Sequence, residues 1–323
     1  SDNTYAWASG TSMATPHVAA AAALVFASNP TFTPAQVRKR LERTADDLGP
    51  AGRDPEYGAG LVDPANAAKV ALPTGGNEGK GYWVVTSDGR VRAFGGARHR
   101  GDLGGFPVGA PVVAAARTPS GAGYWLVTRH GMVFAFGDAR RHGDLFGRMY
   151  DSIVAMASSP SGRGYLLVTA TGKVHAFGDA RSWGSAPAGT RVRDLAMTPH
   201  GRGYWLLAED GSASPYGDAR FSTTMRGAAI GRGAVSFALS ASGRGFWAVR
   251  SNGLVASYAA QSYGNLSAYT SGSTRRGTRL RAVTSGDGYY VLTNDGLVYS
   301  FGSARYHGST RISSATAVDL LLL

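Results

Sequence analysis

Gly164-Tyr165-Leu166-Leu167-Val168-Thr169-Ala170-Thr171-Gly172-Lys173-Val174-His175-Ala176-Phe177-Gly178-Asp179-Ala180-Arg181 is one copy of a repeat that fills most of this 323-residue chain. Six glycine-aromatic openings mark the copies: Gly81-Tyr82-Trp83, Gly123-Tyr124-Trp125, Gly164-Tyr165-Leu166, Gly203-Tyr204-Trp205, Gly245-Phe246-Trp247 and Gly288-Tyr289-Tyr290. Successive openings lie 42, 41, 39, 42 and 43 residues apart. A period near 40 residues belongs to arrays whose unit is a small β-sheet, and propeller blades fall in this range.

Each unit reads strand by strand as a four-stranded sheet. Ile153–Ser158 is a first strand, Pro160-Ser161-Gly162-Arg163 a turn, and Tyr165–Thr169 a second strand. Hairpin signals follow in every copy: Asp88-Gly89, His130-Gly131, Thr171-Gly172, Asp210-Gly211, Asn252-Gly253 and Asp295-Gly296. Most of these pairs suit the positive dihedrals of a two-residue hairpin. A third strand such as Val174–Phe177 leads into Gly178-Asp179-Ala180-Arg181, and a short fourth strand closes the unit. Adjacent apolar residues, as in Tyr124-Trp125-Leu126-Val127, imply a second strand buried on both faces between neighbouring sheets.

The two ends of the repeat region complement each other. The first copy lacks a first strand, because the linker 73–80 precedes Tyr82 directly, while Ala317-Val318-Asp319-Leu320-Leu321 resembles a first strand with no repeat behind it. The pattern predicts a six-bladed β-propeller over 81–323 in which the C-terminal strand completes the first blade and removes the exposed sheet edges. The strand aromatics then belong to the core between blades rather than to a base-stacking surface. The turn acids Asp138, Asp179 and Asp218 are read as local partners of Arg140, Arg181 and Arg220 rather than as an anion-binding ring; the fifth copy has Ala259-Ala260-Gln261 there.

Residues 1–72 are of another kind. Gly10-Thr11-Ser12-Met13-Ala14-Thr15-Pro16-His17 runs into an Ala-rich apolar stretch, which places the Ser12 hydroxyl where a tight loop enters a buried helix. Unpaired N–H groups and a partial positive charge at a helix start favour a developing oxyanion. An ordinary serine there is an N-cap. Two further helices are expected: one from Pro34 to about Leu48, capped by Thr33 with Gln36 at the third position and Val37, Leu41 and Leu48 inward, and one from Asp63 through Lys69. Tyr5-Ala6-Trp7 reads as a short strand.

The octet Gly10–His17 resembles the serine-nucleophile motif of subtilisin-like serine proteases, Gly-Thr-Ser-Met-Ala-x-Pro-His, and the resemblance extends over 1–72. It implies the C-terminal helical end of an α/β catalytic domain, with Ser12 attacking a peptide carbonyl, its backbone N–H as one oxyanion donor, and Gly10 and Thr11 beside the substrate cleft. His17 inherits a structural place, not that of the general base. The family's catalytic Asp and His lie upstream of this motif, and a serine hydroxyl without an adjacent base is a weak nucleophile. Beginning at Ser1, the sequence reads as a fragment or a processed piece. The resemblance therefore implies a secreted bacterial peptidase acting on proteins or peptides. The alternative is a non-catalytic binding propeller carrying an inactive protease remnant.

Composition bounds the rest. There is no cysteine, so no disulfide framework or thiolate metal site exists. The histidines His99, His130, His142, His175, His200 and His307 lack metal-ligand spacing and read as turn or surface residues; no metal or cofactor is expected. Val18–Ala27 is too short to cross a bilayer. Residues 1–72 hold 6 basic and 7 acidic side chains and the remainder 27 and 14, so the propeller carries a charge of +13. Its arginines are spread along the repeats, which argues against a nucleic-acid groove and leaves a cell-surface polymer, a substrate protein or the catalytic domain itself as partners of the propeller.

Overall fold

The structure, a computed structural model, describes residues 11–28, 32–48, 54–69, 81–148, 151–220, 231–241, 243, 245–266 and 274–323; the side chains of residues 11–13, 65, 66 and 69 are outside the description. Tyr5-Ala6-Trp7 and Gly10 lie outside the described residues.

The repeats form eighteen strands. In chain order they are β1 (Gly81–Thr86), β2 (Val91–Gly95), β3 (Val112–Arg117), β4 (Gly123–Thr128), β5 (Val133–Gly137) and β6 (Ile153–Ser158). Next come β7 (Gly164–Thr169), β8 (Val174–Gly178), β9 (Val192–Met197), β10 (Gly203–Ala208), β11 (Ala213–Gly217) and β12 (Ala234–Leu239). The last six are β13 (Phe246–Arg250), β14 (Val255–Tyr258), β15 (Gly277–Ala282), β16 (Gly288–Thr293), β17 (Val298–Gly302) and β18 (Ala317–Leu322).

They pair into six three-stranded antiparallel sheets, and the first of these is ordered β18-β1-β2. Tyr82 faces Leu322 and Val85 faces Asp319, so the C-terminal strand completes the first sheet as its position in the repeat predicts. The strands β18, β3, β6, β9, β12 and β15 touch in that order, and β15 returns to β18. The six sheets are thus blades around one axis. Each blade has three strands among the described residues, where the repeat predicted four: after the third strand the chain runs in irregular structure that the next blade holds by side-chain bonds.

The middle strands are buried on both faces in every blade, and Trp83, Trp125, Trp205 and Trp247 are among the largest fully buried side chains. The aromatic pairs are core between blades. Their polar tips tie blade to blade. Tyr124 Oη donates to Gly101 O, Tyr165 Oη to Gly143 O, Tyr204 Oη to Gly184 O, Tyr289 Oη to Gly264 O and Tyr82 Oη to Gly308 O, each across to the loop of the preceding blade. Gly101 has φ 110°, and a Cβ there would sit 2.8 Å from the Phe136 ring, so only glycine permits the approach. The indole N–H groups of Trp83 and Trp125 bond the carbonyls of Arg98 and Arg140.

Two turn readings are corrected by the structure. Gly89 N donates to Thr86 O and Thr86 N to Arg90 O, so the hairpin loop spans three residues, with Gly89 at φ 80° closing it. One positive dihedral is needed there instead of two, which explains why Asp, His, Thr or Asn all serve before the glycine. The turn acids do not pair with the arginine of their own Gly-Asp-Ala-Arg. Asp138 accepts from Thr118 and Ser120, Asp179 from Ser159 and Ser161, and Asp218 from Thr198, all hydroxyls of the turn between the first and second strands. Arg140, Arg181 and Arg220 are exposed.

At the third residue of the six inner strands stand Asp319, Ala114, Ala155, Asp194, Ser236 and Arg279. Arg279 reaches across the axis: its guanidinium lies 3.2 Å from Asp194 and 3.4 Å from Asp319 and donates to the carbonyls of Val318 and Val113. Asp194 also accepts from Ser236 Oγ and Phe237 N, and Asp319 from Ala115 N and Arg281. Burial works against the Arg279 charge, but Asp319 and Asp194 outweigh it and hold its pKa above the ordinary value. Five blades meet in this one cluster.

The N-terminal residues form α1 (Thr11–Ser28), α2 (Pro34–Thr44) and α3 (Pro64–Lys69). Thr33 caps α2 with a reciprocal bond to Gln36 as predicted. The helix ends at Thr44, not near Leu48, because Asp46 leaves it to pair with Leu61 in a short antiparallel bridge. Ala21 and Val25 pack against Val37, Leu41 and Ala67 in a small core. This unit lies against the sixth blade, where α3 meets β17 and Arg43 donates to Tyr306 O. The cover is visible in burial: Tyr299, Ser300 and Phe301 of β17 are buried, whereas the corresponding positions of β2, β5, β8 and β11 are half-exposed or exposed.

Ending the chain before Ile312 removes β18 with Ala317, Leu320 and Leu321, and is expected to abolish cooperative unfolding of the ring in urea; an unchanged transition would refute closure by this strand. Arg279→Ala leaves Asp194 buried beside neutral donors and is expected to cost about 3–5 kcal/mol in the same measurement, whereas Arg279→Met combined with Asp194→Leu, which leaves no unpaired charge at that end, should cost clearly less.

Candidate functional site

The sequence-predicted nucleophile sits in the first turn of α1, whose first residue is Thr11 and second Ser12. Helix geometry leaves the first four N–H groups of such an element without intrahelical partners, which is the donor array an oxyanion needs. The side chains of Thr11 and Ser12 are outside the described set, and Gly10 lies outside the described residues altogether, so the backbone is what positions them. Pro16 is the sixth residue of α1, so its missing N–H leaves the Ser12 carbonyl without the usual i→i−4 donor.

The surroundings of α1 differ from the expectation of a buried helix. Only Ala21 and Val25 are buried, while Val18 is 44%, Leu24 53% and Phe26 36% exposed. The helix is apolar nearly all round, and apart from Ala21, Ala22 and Val25 its described side chains are exposed. His17 lies on that exposed surface. Among the described residues, no three His, Asp or Glu side chains are grouped so that they could hold a metal ion. No helix of the described residues is long and apolar enough to cross a membrane.

Arg40, Arg43 and His307 carry signals that sequence reasoning missed. Arg40 is 1% exposed; its Nε donates to Ala67 O at 2.8 Å, and its two terminal nitrogens have no partner among the described residues. Burial, and then the neighbouring Arg43, lower its pKa to about 10. The alternation of α2 gave no warning, because a long side chain can fold its stem into an apolar site whatever its head carries. His307 departs from the surface reading of the histidines. It stands between the ring and α2, its imidazole 5.5 Å from the Tyr82 ring, and burial followed by the charges of Arg305 and Arg43 lowers its pKa to about 4. A second cavity of about 400 Å³ lies beside it, bounded by Lys39 and Arg43 on α2 and by Arg305 and His307 on the ring.

Residues 1–60 match the model of the Subtilase family. The chain is 54% identical over 66 residues to subtilisin of Bacillus pumilus, a match covering 20% of this chain and 23% of that protein. It is 54% identical over 66 residues to subtilisin E of Bacillus subtilis (strain 168), covering 20% and 16%. It is 49% identical over 67 residues to subtilisin Savinase of Lederbergia lenta, covering 21% and 24%. The chain thus spans less than a quarter of the length of the curated relatives it matches. The likeness to subtilisins is thus confined to the first segment, to which the repeats are joined. Among solved structures, the β-propeller domain of Cps50 (Swd1) from Myceliophteria thermophila aligns at TM-score 0.38 and 17% identity, covering 59% of this chain and 65% of that one.

Because His307 is held neutral in the folded state, its contribution has a definite sign. Between its ordinary pKa of 6.5 and its folded value near 4, the unfolded chain binds the proton more readily than the folded one. This stability is whole above about pH 6.5 and is lost as pH falls toward 4. Melting temperature measured across that window should fall more steeply for the parent protein than for His307→Asn; equal slopes would show that another group sets the acid sensitivity.

Proposed function

We propose that residues 1–72 are the serine-bearing end of a secreted bacterial endopeptidase domain of the subtilisin type, that 73–80 are a linker, and that 81–323 are a six-bladed propeller serving as its binding module. The reaction is hydrolysis of a peptide bond through an acyl-enzyme on Ser12. The observation that carries this reading is the uninterrupted octet Gly10–His17, at the start of an apolar helix, within a stretch half identical to several subtilisins.

In this reading the roles follow from position. The Ser12 hydroxyl attacks the substrate carbonyl, and the C–N bond breaks once the leaving amine has taken the proton that the hydroxyl gave up. The Ser12 N–H, at the head of α1, donates to the oxyanion as charge develops. Gly10 and Thr11 border the cleft. The general base and the carboxylate that orients it come from Asp and His residues that residues 1–11 do not supply in the family's pattern. The uncovered apolar surface of α1, with Val18, Leu24 and Phe26, supports the placement of the helix inside a larger catalytic body. For the propeller, the partners are a cell-surface polymer, a substrate protein or the catalytic body.

A second reading is a binding propeller that carries an inactive protease remnant. It is favoured by one observation: the repeats fill 81–323, whereas the stretch similar to subtilisins is confined to the first segment.

A fluorophosphonate probe separates the two. Protein carrying the upstream catalytic Asp and His should be labelled at Ser12, located by mass spectrometry. Ser12→Ala should remove the label and lower kcat by about 10⁶-fold. A folded protein that stays unlabelled would leave the second reading.

A further inference from the structure

One end of the ring's axis opens into a cavity of about 680 Å³, a volume in the range of ligand sites. Its floor is formed by Ala115, Met156, Leu195, Phe237 and Leu320, each one position beyond the level of the Arg279 cluster on its inner strand. Its walls come from the inner strands, where Ala116, Ala157, Ala196 and Ala238 occupy the fifth position of β3, β6, β9 and β12. Four alanines at equivalent positions keep the opening wide where larger side chains would fill it. The cavity extends outward between the sixth and first blades, past Tyr290, Ser303 and Arg305 to Gly81 and His307. It is a bowl with a side groove.

Its charge is of one sign. Arg117, Arg281 and Arg305 line it along with His307, and no Asp or Glu does among the described residues. Arg281 is neutralised from below by Asp319 at 2.6 Å. Arg117 is different: its guanidinium donates only to the carbonyls of Thr118 and Pro119, and burial lowers its pKa. The Nε of Arg305 is buried with no partner among the described residues, and Arg43 stands near it as a further cation, while His307 beside them is held neutral. The acid Asp287 stands behind the rim, taken up by the hydroxyls of Ser285 and Ser303. Two partly buried guanidinium groups without a carboxylate partner among the described residues are an arrangement that an anion relieves.

The inner strands add a third element. Each ends its sheet, so one edge of N–H and C=O groups faces the axis. Near the floor these groups are taken by Asp194, Asp319 and Arg279. The edge of β6 accepts no side-chain hydrogen bond among the described residues.

We propose that this bowl and groove bind an acidic peptide segment, with carboxylates on the Arg117 and Arg305 guanidinium groups and aliphatic side chains against the alanine ring. The guanidinium fork matches a carboxylate in two parallel bonds. A phosphate polymer satisfies the same cations but leaves the apolar wall and the strand edges unused, which is why a peptide fits better. The proposal deepens the binding role given above to the ring and rests on it, not on catalysis at Ser12. In that setting the ring would hold acidic stretches of a protein beside the protease segment that packs on the sixth blade.

The test is fluorescence anisotropy on the whole chain with a labelled peptide of alternating Glu and Leu. The Glu peptide should bind, its Gln counterpart at least about tenfold more weakly, and Arg117→Gln with Arg305→Gln should lose at least about tenfold. Arg141→Gln, whose side chain pairs with Asp144 on an outer loop, should bind within about twofold of the parent. Thermal melting of each variant identifies any loss that is merely unfolding. Equal binding of the Gln peptide, or undiminished binding by the folded double variant, overturns the proposal. So does retention of inorganic polyphosphate or a cell-wall polymer with no binding of the Glu peptide, an outcome that keeps the ring as a binding module and removes only this ligand.

Discussion

One guanidinium on the ring axis holds the repeat region together. Arg279 leaves the inner strand of the sixth blade and meets Asp194 of the fourth, Asp319 of the first and a carbonyl of the second. Ser236 of the fifth blade joins through Asp194. A buried ion cluster of this kind adds little net stability over an apolar one of equal volume, because desolvation of the charges offsets their attraction. Its effect is on arrangement. The six inner strands differ at one equivalent position, two with Asp, two with Ala, one with Ser and one with Arg, and the Arg meets both acids only when the first, fourth and sixth blades come together at the axis. Near-identical blades would otherwise have many mispaired alternatives of similar packing.

The rest of the blade is repetitive because the same few contacts recur between each pair of neighbours. A tyrosine hydroxyl reaches a glycine carbonyl in the loop before it, and an aromatic ring in the next blade lies where that glycine has no side chain. This bond orders the irregular stretch after the third strand without a fourth strand, which is why a period typical of four-stranded blades is filled here by three. Where Phe246 replaces the tyrosine there is no hydroxyl to make the bond. Apolar contact alone remains at that position.

The helical segment is held in a different way. Its own core is small, Ala21 and Val25 against Val37, Leu41 and Ala67, and its largest apolar side chains face outward. It gains cover by resting α3 and Arg43 on the sixth blade, and that blade's outer strand is the more buried one for the same reason. Burial and the charge of Arg305 lower the pKa of Arg43 along this contact, and burial with the charges of Arg305 and Arg43 keeps His307 neutral there. The helical segment and the ring therefore share an electrostatic boundary as well as a packed one.

Much of this was legible in the residues. Six spaced Gly-aromatic openings specify six sheets because strand and turn chemistry is local, and the spare strand at 317–321 announces closure because a strand without a hairpin partner must pair elsewhere. The octet around Ser12 and the cap at Thr33 are likewise local. What the chain order could not reveal depends on atoms brought together from distant positions. Asp194, Arg279 and Asp319 are separated by 85 and 40 residues, and nothing near any of them signals the others. The same holds for the missing fourth strand, the hydroxyl partners of Asp138 and Asp179, the burial of Arg40 and His307, and the one-signed bowl at the axis. Local sequence determined which elements form and how many; tertiary structure decided which charges face one another, because burial and distance, not sequence neighbourhood, set the energy of a charge.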